Sequence, residues 1–429
     1  MKIIGVMTGN SLDGCDAVLT EFSNQKMKDI AFFSQDIPVL LQKDILSLKE
    51  MIKNKTLLSQ DLPNNEFFLK VHKAYIQWIA SCIREFLFSV HLTEKDIDLV
   101  GFHGQTLDHN PPSVATEKEP PYTLQMGSGK MLSSLINIPV VYDFRSDDIF
   151  NQGEGAPLIP PHNEHFAKML HLKNAFFYNA GNTSNVALIQ NGKVVLGFDS
   201  GPFNEFSDKL VRLYKNISYD KDCFFGKQGK LRPDLLEKLF NFSVRTHQKK
   251  NYLILPPPKS ADPSLYHLTD LISINNETDF VDTLHTVEYF AGYVAAFSLK
   301  HIDENFAWPT DFVLFGGGWQ NQISYNAFVD ILNGNGFILP MHQSVFKKIR
   351  SKFNGKINFI FPSGGKYMEA RLMADMAFYF DKKKAWTTPQ LTGCLSPCVL
   401  GVKAEPQQLE VFDDLISRAS RGWQFKLKK

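Results

Sequence analysis

Two loops of small polar residues carry the side chains in this chain that are best suited to phosphate chemistry. Each loop lies between two apolar runs: residues 3–7 lead into the loop at 8–14, and residues 175–178 lead into the loop at 179–185. Glycine lets the main chain approach a ligand closely, while amide and hydroxyl groups donate to phosphate oxygens. Each loop alone is also typical of an ordinary hairpin turn, but the repeated strand–loop–strand pattern predicts two related halves that hold one nucleotide.

Strands that alternate with helices must position these loops. Apolar residues from about 66 to 86 recur with the 3.6-residue period of a half-buried helix, and a second long helix is expected at 367–380. Short apolar runs at 99–102 and 312–315 are typical of buried strands. The alternation predicts an α/β chain with a mixed sheet.

The common nucleotide-binding motifs are absent from the sequence. Residues 127–131, Gly-Ser-Gly-Lys-Met, come close to a Walker A motif, but position 124 is leucine and Met131 replaces the Mg²⁺-binding Ser or Thr. No G-x-G-x-x-G follows a predicted strand, which disfavours a dinucleotide-binding site. Phosphate binding is therefore expected at the two repeated loops.

Composition narrows the class of protein. The 429 residues are enough for two domains, and 46 basic against 45 acidic residues give no field that would favour nucleic acid or an anionic membrane. The five cysteines are dispersed, as expected in a reducing compartment. No run approaches the ~20 apolar residues of a membrane span, so we expect a cytoplasmic protein.

Eight short motifs occur in one order along the chain. They are residues 5–14 (GVMTGNSLDG), 103–106 (HGQT), 143–145 (DFR), 155–158 (GAPL), 198–202 (FDSGP), 258–260 (PKS), 316–318 (GGG) with Asn321, and 369–370 (EA). The loops and the glycine run resemble the layout of the actin-like sugar kinase and Hsp70 superfamily. The full set, over roughly residues 1 to 401, resembles the anhydro-N-acetylmuramic acid kinases. Residues 402–429 extend past the usual end of that family.

The resemblance implies a fold, a reaction and its partners. It implies α/β architecture with two actin-like (ribonuclease H-like) domains, whose mixed sheets flank a nucleotide cleft. We expect one domain at 1–140 with about 385–429, and the other at 141–384. The implied reaction opens the 1,6-anhydro ring with water and phosphorylates O6 from ATP with Mg²⁺, giving N-acetylmuramic acid 6-phosphate. The implied partners are the sugar and ATP, without nucleic acid or membrane, in a homodimer.

The resemblance also assigns roles to particular residues. Asp199 matches the catalytic base, and a carboxylate before a Gly-Pro turn can take a proton from water or simply cap the turn. Asp13 is expected to hold Mg²⁺, with an Asx turn as the alternative. The remaining nucleotide contacts are expected at Gly9, Asn10, Ser11, Gly14, Asn182, Thr183, Gly316, Gly317, Gly318 and Asn321.

The sugar is expected to contact a second group of residues: His103, Gln105, Thr106, Arg145 and Glu369. Arg145 can hold the lactyl carboxylate as a bidentate pair, or it can form a salt bridge with Asp147 or Asp148. A histidine at a strand end is equally typical of a structural hydrogen bond, and Glu369 is nearly as typical of an exposed helical position.

Several motif positions depart from the family pattern. Asn10 replaces threonine, Asn182 replaces glycine, and Glu154 stands where glutamine is usual. After Ser260 the family continues Thr-Gly-Arg-Glu, whereas this chain has Ala-Asp-Pro-Ser at 261–264. These changes leave two alternatives open: an actin-like kinase of another sugar, or an ATP-binding paralogue with little turnover. They also predict weaker binding of an acidic sugar.

Overall fold

The structure is a computed structural model, and it describes residues 1–9, 12–23, 26–117, 119–246, 248–261, 263–407 and 412–420. The chain forms two compact units. The first comprises Met1–His162 with Tyr367–Lys429, and the second comprises Asn163–Lys366.

The helices and strands follow one another in three stretches of chain. The first stretch contains β1 (Lys2–Thr8), β2 (Gly14–Ser23), β3 (Lys26–Asp36), α1 (Val39–Lys53), α2 (Glu66–Ser89), β4 (Leu99–Phe102), β5 (Gln105–Asn110), β6 (Tyr122–Met126), α3 (Gly129–Ile136), β7 (Val140–Tyr142), α4 (Ser146–Phe150) and α5 (Pro160–Met169). The second contains β8 (Ala175–Ala180), β9 (Thr183–Gln190), β10 (Lys193–Pro202), α6 (Asn204–Lys215), α7 (Pro233–Phe242), α8 (Glu277–Ser298), β11 (Asp311–Phe315), α9 (Gln322–Asn333), α10 (Gln343–Arg350) and β12 (Asn358–Ile360). The chain then returns to the first unit with α11 (Met368–Asp381), α12 (Pro389–Thr392) and β13 (Val402–Ala404).

The sheet of the first unit has the strand order β13-β7-β4-β1-β2-β3. Strands β1, β2 and β3 pair antiparallel in succession, and β4 and β7 continue the sheet as parallel strands. The carboxyl ends of parallel strands meet at one edge of a sheet. The segments that begin at Gly9, His103 and Asp143 therefore leave the sheet at the same edge.

The sheet of the second unit repeats this arrangement. Its order is β10-β9-β8-β11-β12, with antiparallel pairing from β8 to β10 and parallel pairing from β8 through β11 to β12. The loop at Gly181 and the glycine run at Gly316 thus share an edge. Both units have a central strand, two strands in antiparallel succession on one side and two parallel strands on the other, and in the first unit β13 adds an antiparallel edge strand. This confirms the predicted α/β fold of two ribonuclease H-like halves with mixed sheets.

Helix α11 packs closely on the sheet of the first unit. A Cβ atom on Gly5 would lie 1.9 Å from the Ala370 carbonyl oxygen, and one on Gly101 would lie 2.0 Å from the Met373 carbonyl oxygen. Only glycine in β1 and β4 permits this separation. The packing therefore explains the glycines at positions 5 and 101.

The bounds of the two units differ from the sequence-based division at residues 140 and 385. Strand β7, at 140–142, pairs with β4 inside the first sheet. Helix α11 packs on β1 and β4, which brings residues 368–381 into the same unit. Both differences arise from contacts between segments that are far apart in the sequence.

The individual elements agree with the periodicity of the sequence. Helix α2 covers the predicted span, and the Asn65 side chain caps it by accepting from the Phe68 amide at 2.9 Å.

In the part of the chain that the structure describes, no helix has the length and apolar character needed to cross a membrane.

Candidate active-site residues

The first loop joins β1 to β2 in the first unit. The Gly9 carbonyl accepts from the Leu12 amide at 3.2 Å and from Gln105 Nε2 at 3.4 Å. Asp13 is exposed, and its Oδ1 accepts from the Gly14 amide at 3.1 Å. The predicted contacts Asn10 and Ser11 lie outside the described residues. An accessible carboxylate thus stands beside the loop expected to bind phosphate, and it accepts from the amide of the next residue.

Buried His103 and half-buried Arg145 form a pair beyond the ends of β4 and β7. Arg145 Nε donates to His103 Nε2 at 3.0 Å, and His103 Nδ1 donates to the Gly104 carbonyl at 2.8 Å. Burial, together with the nearby Arg145 charge, lowers the pKa of His103 to about 3. The imidazole is therefore neutral near pH 7, with its tautomer fixed by these two contacts.

Arg145 also donates from Nη1 to the Gly155 carbonyl at 2.7 Å. The sequence left Asp147 and Asp148 as alternative salt-bridge partners of Arg145. In the structure Asp147 pairs with Arg418, with 2.7 Å between Nη2 and Oδ2. The structure therefore joins the 103–106, 143–145 and 155–158 motifs through one guanidinium.

Unsatisfied polar atoms lie buried around β5 and β6. Among the described residues, the side-chain oxygens of Gln105 and Gln125 and the Nε2 atom of His109 have no hydrogen-bond partner. Gln125 Nε2 lies 3.5 Å from Thr106 Oγ1, so the two strands bring these side chains together. Unpaired buried polar atoms are costly, and sugar hydroxyls would satisfy them.

Gln125 and His109 were missed in the sequence. Their one sequence signal is their place on short strands that flank the 103–106 motif, and it did not distinguish them from structural residues.

Glu154 is buried, and its carboxylate has a local partner. Its Oε1 accepts from the Ser113 amide at 3.0 Å, and its Oε2 accepts from Ser113 Oγ at 2.6 Å. The charge that was expected to repel an acidic sugar is thus already hydrogen-bonded on both oxygens. Glu369 lies half-buried in the first turn of α11.

The second loop, in the second unit, is tied to the start of α6. The Asn182 carbonyl accepts from the Phe203 amide at 2.8 Å, and the Gly181 carbonyl accepts from the Asn204 amide at 3.0 Å. Thr183 Oγ1 lies 2.6 Å from the Tyr266 hydroxyl. The loop is therefore held on both sides while Asn182 remains partly exposed.

Asp199 lies near the end of β10 and is 7% exposed. Its Oδ2 accepts from Ser260 Oγ and from the Ala261 amide, both at 3.0 Å. Its main chain is fixed as well, since its amide donates to the Lys259 carbonyl at 3.2 Å and its carbonyl accepts from the Tyr252 hydroxyl at 2.9 Å. The 258–260 motif therefore orients this carboxylate.

Lys259 is a buried lysine next to Asp199. Its side chain donates to the Tyr252 carbonyl at 3.2 Å, and its Nζ lies 4.6 Å from the centre of the Tyr252 ring. Burial is the main cause that lowers the pKa of Lys259 to about 7; repulsion from Lys300 adds to it, and attraction to Asp199 opposes it. Sequence reasoning named Lys259 only as part of a motif.

The glycine run after β11 leaves open space. Gly316 has φ of 92°, and a Cβ there would lie 2.5 Å from the Ala180 carbonyl of the second loop. A Cβ on Gly317 would meet nothing within 4 Å among the described residues, whereas one on Gly318 would strike Phe203. The run thus approaches the second loop closely and keeps one side unobstructed.

Asn321 has a structural position at the start of α9. Its Oδ1 accepts from the Ile323 and Ser324 amides at 3.1 and 3.0 Å, and its Nδ2 donates to Glu288 Oε1 at 2.8 Å. Burial raises the pKa of Glu288 to about 8. The Asn321 side chain, predicted as a nucleotide contact, is therefore engaged by the helix and by Glu288.

Comparison with known proteins identifies relatives over most of the chain. The family model described as anhydro-N-acetylmuramic acid kinase matches residues 1–345. The anhydro-N-acetylmuramic acid kinase of Bordetella pertussis is 30% identical over 323 residues, 74% of this chain and 78% of that protein. The enzyme of that name from Idiomarina loihiensis is 28% identical over 408 residues, 94% of this chain and 98% of its own length.

Solved structures give more distant matches. A ROK family glucokinase from Streptomyces griseus, in complex with glucose and AMPPNP, has a TM-score of 0.39 and 10% identity, covering 88% of this chain and 99% of its own. Component A of the (R)-2-hydroxyglutaryl-CoA dehydratase of Acidaminococcus fermentans has a TM-score of 0.40 and 9% identity, covering 87% and 96%.

Proposed function

The chain belongs to the anhydro-N-acetylmuramic acid kinase family, and from that premise we propose that it opens 1,6-anhydro-N-acetylmuramic acid with water and transfers the γ-phosphoryl group of ATP to O6. The products are N-acetylmuramic acid 6-phosphate and ADP.

The orientation of Asp199 is the observation that carries this proposal. Its Oδ2 is held by the Ser260 hydroxyl and the Ala261 amide, on a main chain anchored by Tyr252. A general base must be held in position before the proton transfer. Asp199 takes a proton from the water whose oxygen bonds to C1; the C1–O6 bond breaks, and O6 accepts the phosphoryl group as ADP leaves.

The pair formed by Arg145 and His103 supports recognition of the sugar. The guanidinium carries a permanent charge suited to the lactyl carboxylate. His103 is neutral and buried, so it orients Arg145 without adding charge. Gln105 and Gln125 offer the unsatisfied oxygens noted above to sugar hydroxyls.

The residues present fit ATP and Mg²⁺. Gly317 offers main chain beside open space, and Thr183 of the second loop is held in place by Tyr266. The exposed Asp13 carboxylate is the kind of oxygen ligand that Mg²⁺ takes beside phosphates. Mg²⁺ supplies charge neutralisation at the transferred phosphoryl group when bound.

The family resemblance also supports a cytoplasmic location and a homodimer. Sedimentation of the purified protein tests the oligomeric state, and fractionation of the source cells tests the location. A net charge of +1 supports small-molecule partners rather than nucleic acid.

One coupled experiment tests the reaction. The purified chain is incubated with Mg²⁺–ATP and anhydro-N-acetylmuramic acid in H₂¹⁸O. ADP release is followed with time, and the mass of the sugar product is measured by mass spectrometry. We expect one phosphate on the product and one ¹⁸O at C1. ADP release only with another sugar in a panel of anhydro- and amino sugars would contradict the proposed substrate, and ADP release with none of them would contradict the proposed activity.

A further inference from the structure

The C-terminal segment, residues 412–420, lies beyond the part of the chain that the family model matches, and it docks on the first unit. Ile416 bridges antiparallel to Met126 at the end of β6, and the Gly127 amide donates to the Leu415 carbonyl at 3.0 Å. Ser417 continues the pairing, because its amide donates to the Gln125 carbonyl and its hydroxyl accepts from the Gln125 amide, both at 2.9 Å. The segment therefore extends the β5–β6 pair.

The same segment makes specific contacts on both sides of this pairing. Asp414 caps α3 by accepting from the Lys130 amide at 2.9 Å and from the Ser128 hydroxyl. The Ala419 amide donates to Ser146 Oγ at 3.0 Å. Such a set of directed, partly buried bonds is typical of a built-in structural element rather than of a loose tail.

Arg418 fixes the turn that carries Arg145. Its Nε and its amide donate to Asp143 Oδ2 at 2.6 and 3.1 Å, and its two terminal nitrogens donate to the two carboxylate oxygens of Asp147 at 2.9 and 2.7 Å. Asp143 and Asp147 lie on either side of Arg145 in the sequence. One guanidinium thus holds the carboxylates two positions before and two positions after the residue proposed to bind the sugar carboxylate.

The turn needs such a partner for two physical reasons. Asp143 has φ of 56°, in the left-handed region that non-glycine residues rarely adopt. Its side chain is only 4% exposed, and that of Asp147 is 21% exposed, so two carboxylates lie close together with little solvent. Without Arg418 both carboxylates would keep only neutral donors, from Ser146 and Gly401, and would lose their cationic partner near the proposed position of an anionic sugar.

A small cavity connects this segment to the proposed sugar-binding residues. His103, Gln125 and Asp143 line it together with Ile416 and Ser417. The C-terminal segment therefore contacts the cavity directly, and Arg418 acts on it through Asp143.

We propose that Arg418 is a positioning residue for the acidic sugar. By binding Asp143 and Asp147 it fixes the position of Arg145, and it neutralises the charge of the two carboxylates beside the site. This inference rests on the proposed function. It assigns a role in substrate selection to residues beyond the usual end of the family.

Steady-state kinetics of Arg418→Gln in the full chain test the inference. We expect the KM for the acidic sugar to rise about tenfold, the scale of one lost charge-assisted contact. The KM for ATP should stay within twofold, and an analogue without the lactyl carboxylate should be affected less than the acidic sugar. Lys130→Gln is the matched control. It removes the largely exposed ion pair between Lys130 Nζ and Asp413 of the same segment, which are 2.6 Å apart, and it leaves the turn at 143–147 unchanged.

A second variant separates charge from folding. Arg418→Lys keeps the charge but cannot bind both carboxylates in the same way, so we expect an intermediate KM. Asp147→Asn in the Arg418→Gln background removes one uncompensated charge and should recover part of the affinity. Thermal unfolding shows whether each variant is folded at the assay temperature. If Arg418→Gln is unfolded, the sugar KM of Arg418→Lys is compared with that of the wild type, and an unchanged value contradicts the proposed role.

The possible outcomes distinguish the two proposals. A wild type that does not phosphorylate the sugar overturns the proposed function. An active wild type with an unchanged sugar KM in folded Arg418→Gln overturns the role of Arg418 alone. Equal increases in the KM values for sugar and ATP, or for the acidic and neutral sugars, would also overturn it, since they indicate a general disturbance.

Discussion

The Ser260 hydroxyl donates to Asp199 Oδ2 at 3.0 Å, so the residue after buried Lys259 holds the carboxylate proposed as the general base. The Ala261 amide adds a second bond to the same oxygen. The 258–260 motif therefore connects to the 198–202 motif through the reacting group itself, although Asp199 and Ser260 are 61 positions apart in the sequence.

Replacing Asp199 tests its role as the base. We expect Asp199→Asn to lower kcat by ~10²-fold or more, the usual scale for loss of a positioned general base, because an amide cannot accept the proton from water. Sugar and ATP affinities, measured by calorimetry, should change little since the substitution is nearly isosteric.

Asp234→Asn provides the matched control, because Asp234 is a largely exposed carboxylate of the same unit that pairs with Arg232. Near-native turnover in Asp199→Asn would show that Asp199 only caps the turn.

Lys259 should make stability depend on pH. Its folded pKa of about 7 lies below the ~10.4 of an unfolded lysine, so between these values the unfolded chain binds a proton that the folded chain has released. Stability contributed by this group therefore rises with pH across that window, by at most ~1.4 kcal/mol per pH unit. We expect the free energy of unfolding of the wild type, relative to Lys259→Met, to increase from pH 7 to pH 10 in urea titrations.

Lys383→Met, an exposed lysine, is the control for general effects of lost charge. A difference between wild type and Lys259→Met that stays constant with pH would contradict the prediction.

For Glu288 we expect the free energy of unfolding to depend on pH in the opposite direction and in a lower pH range. Its folded pKa of about 8 lies above the ~4.3 of an unfolded glutamate, so the folded chain retains a proton that the unfolded chain has lost. Its contribution to stability is present below pH ~4 and is lost as pH rises towards 8. Glu288→Gln stays neutral, so its stability relative to the wild type should increase from pH 5 to pH 8.

Thermal unfolding at several pH values measures this difference. Glutamine can still accept from Asn321, so the cap of α9 is expected to persist. Glu237→Gln, at an exposed position on α7, should show no such trend. A Glu288→Gln variant that loses stability relative to the wild type at pH 8 would refute the argument.

The sequence predicted the two loops and the repeated strands, because each depends on local pattern, whereas the role of Asp199 as the base comes from the family resemblance and stays a prediction. It did not predict that Asn321 caps a helix and holds Glu288, since either role uses the same amide. Nor did it predict the contacts of Arg418, whose partner Asp143 is 275 residues away. The contacts of Arg418 follow from how the C-terminal segment packs on β6 and on the turn at 143–147, which no short pattern encodes.

Replacing Glu154 tests whether this departure from the family pattern affects stability and the choice of substrate. Its two oxygens accept from the amide and the hydroxyl of Ser113 at 3.0 and 2.6 Å, so both acceptors are used. Glutamine has one acceptor oxygen and would turn its NH₂ group towards one of these donors. We therefore expect Glu154→Gln to lower the free energy of unfolding by about 1 kcal/mol, the scale of one lost hydrogen bond.

The same variant should leave the choice of sugar unchanged. Because the Glu154 charge is hydrogen-bonded locally, its removal should alter the ratio of kcat/KM for the acidic sugar and its analogue without the lactyl carboxylate by less than about twofold, a free-energy change well below 1 kcal/mol. Ser113→Ala is the matched variant, since it removes one donor and keeps the charge. A rise of about tenfold in preference for the acidic sugar in Glu154→Gln alone would show that the carboxylate repels the substrate after all.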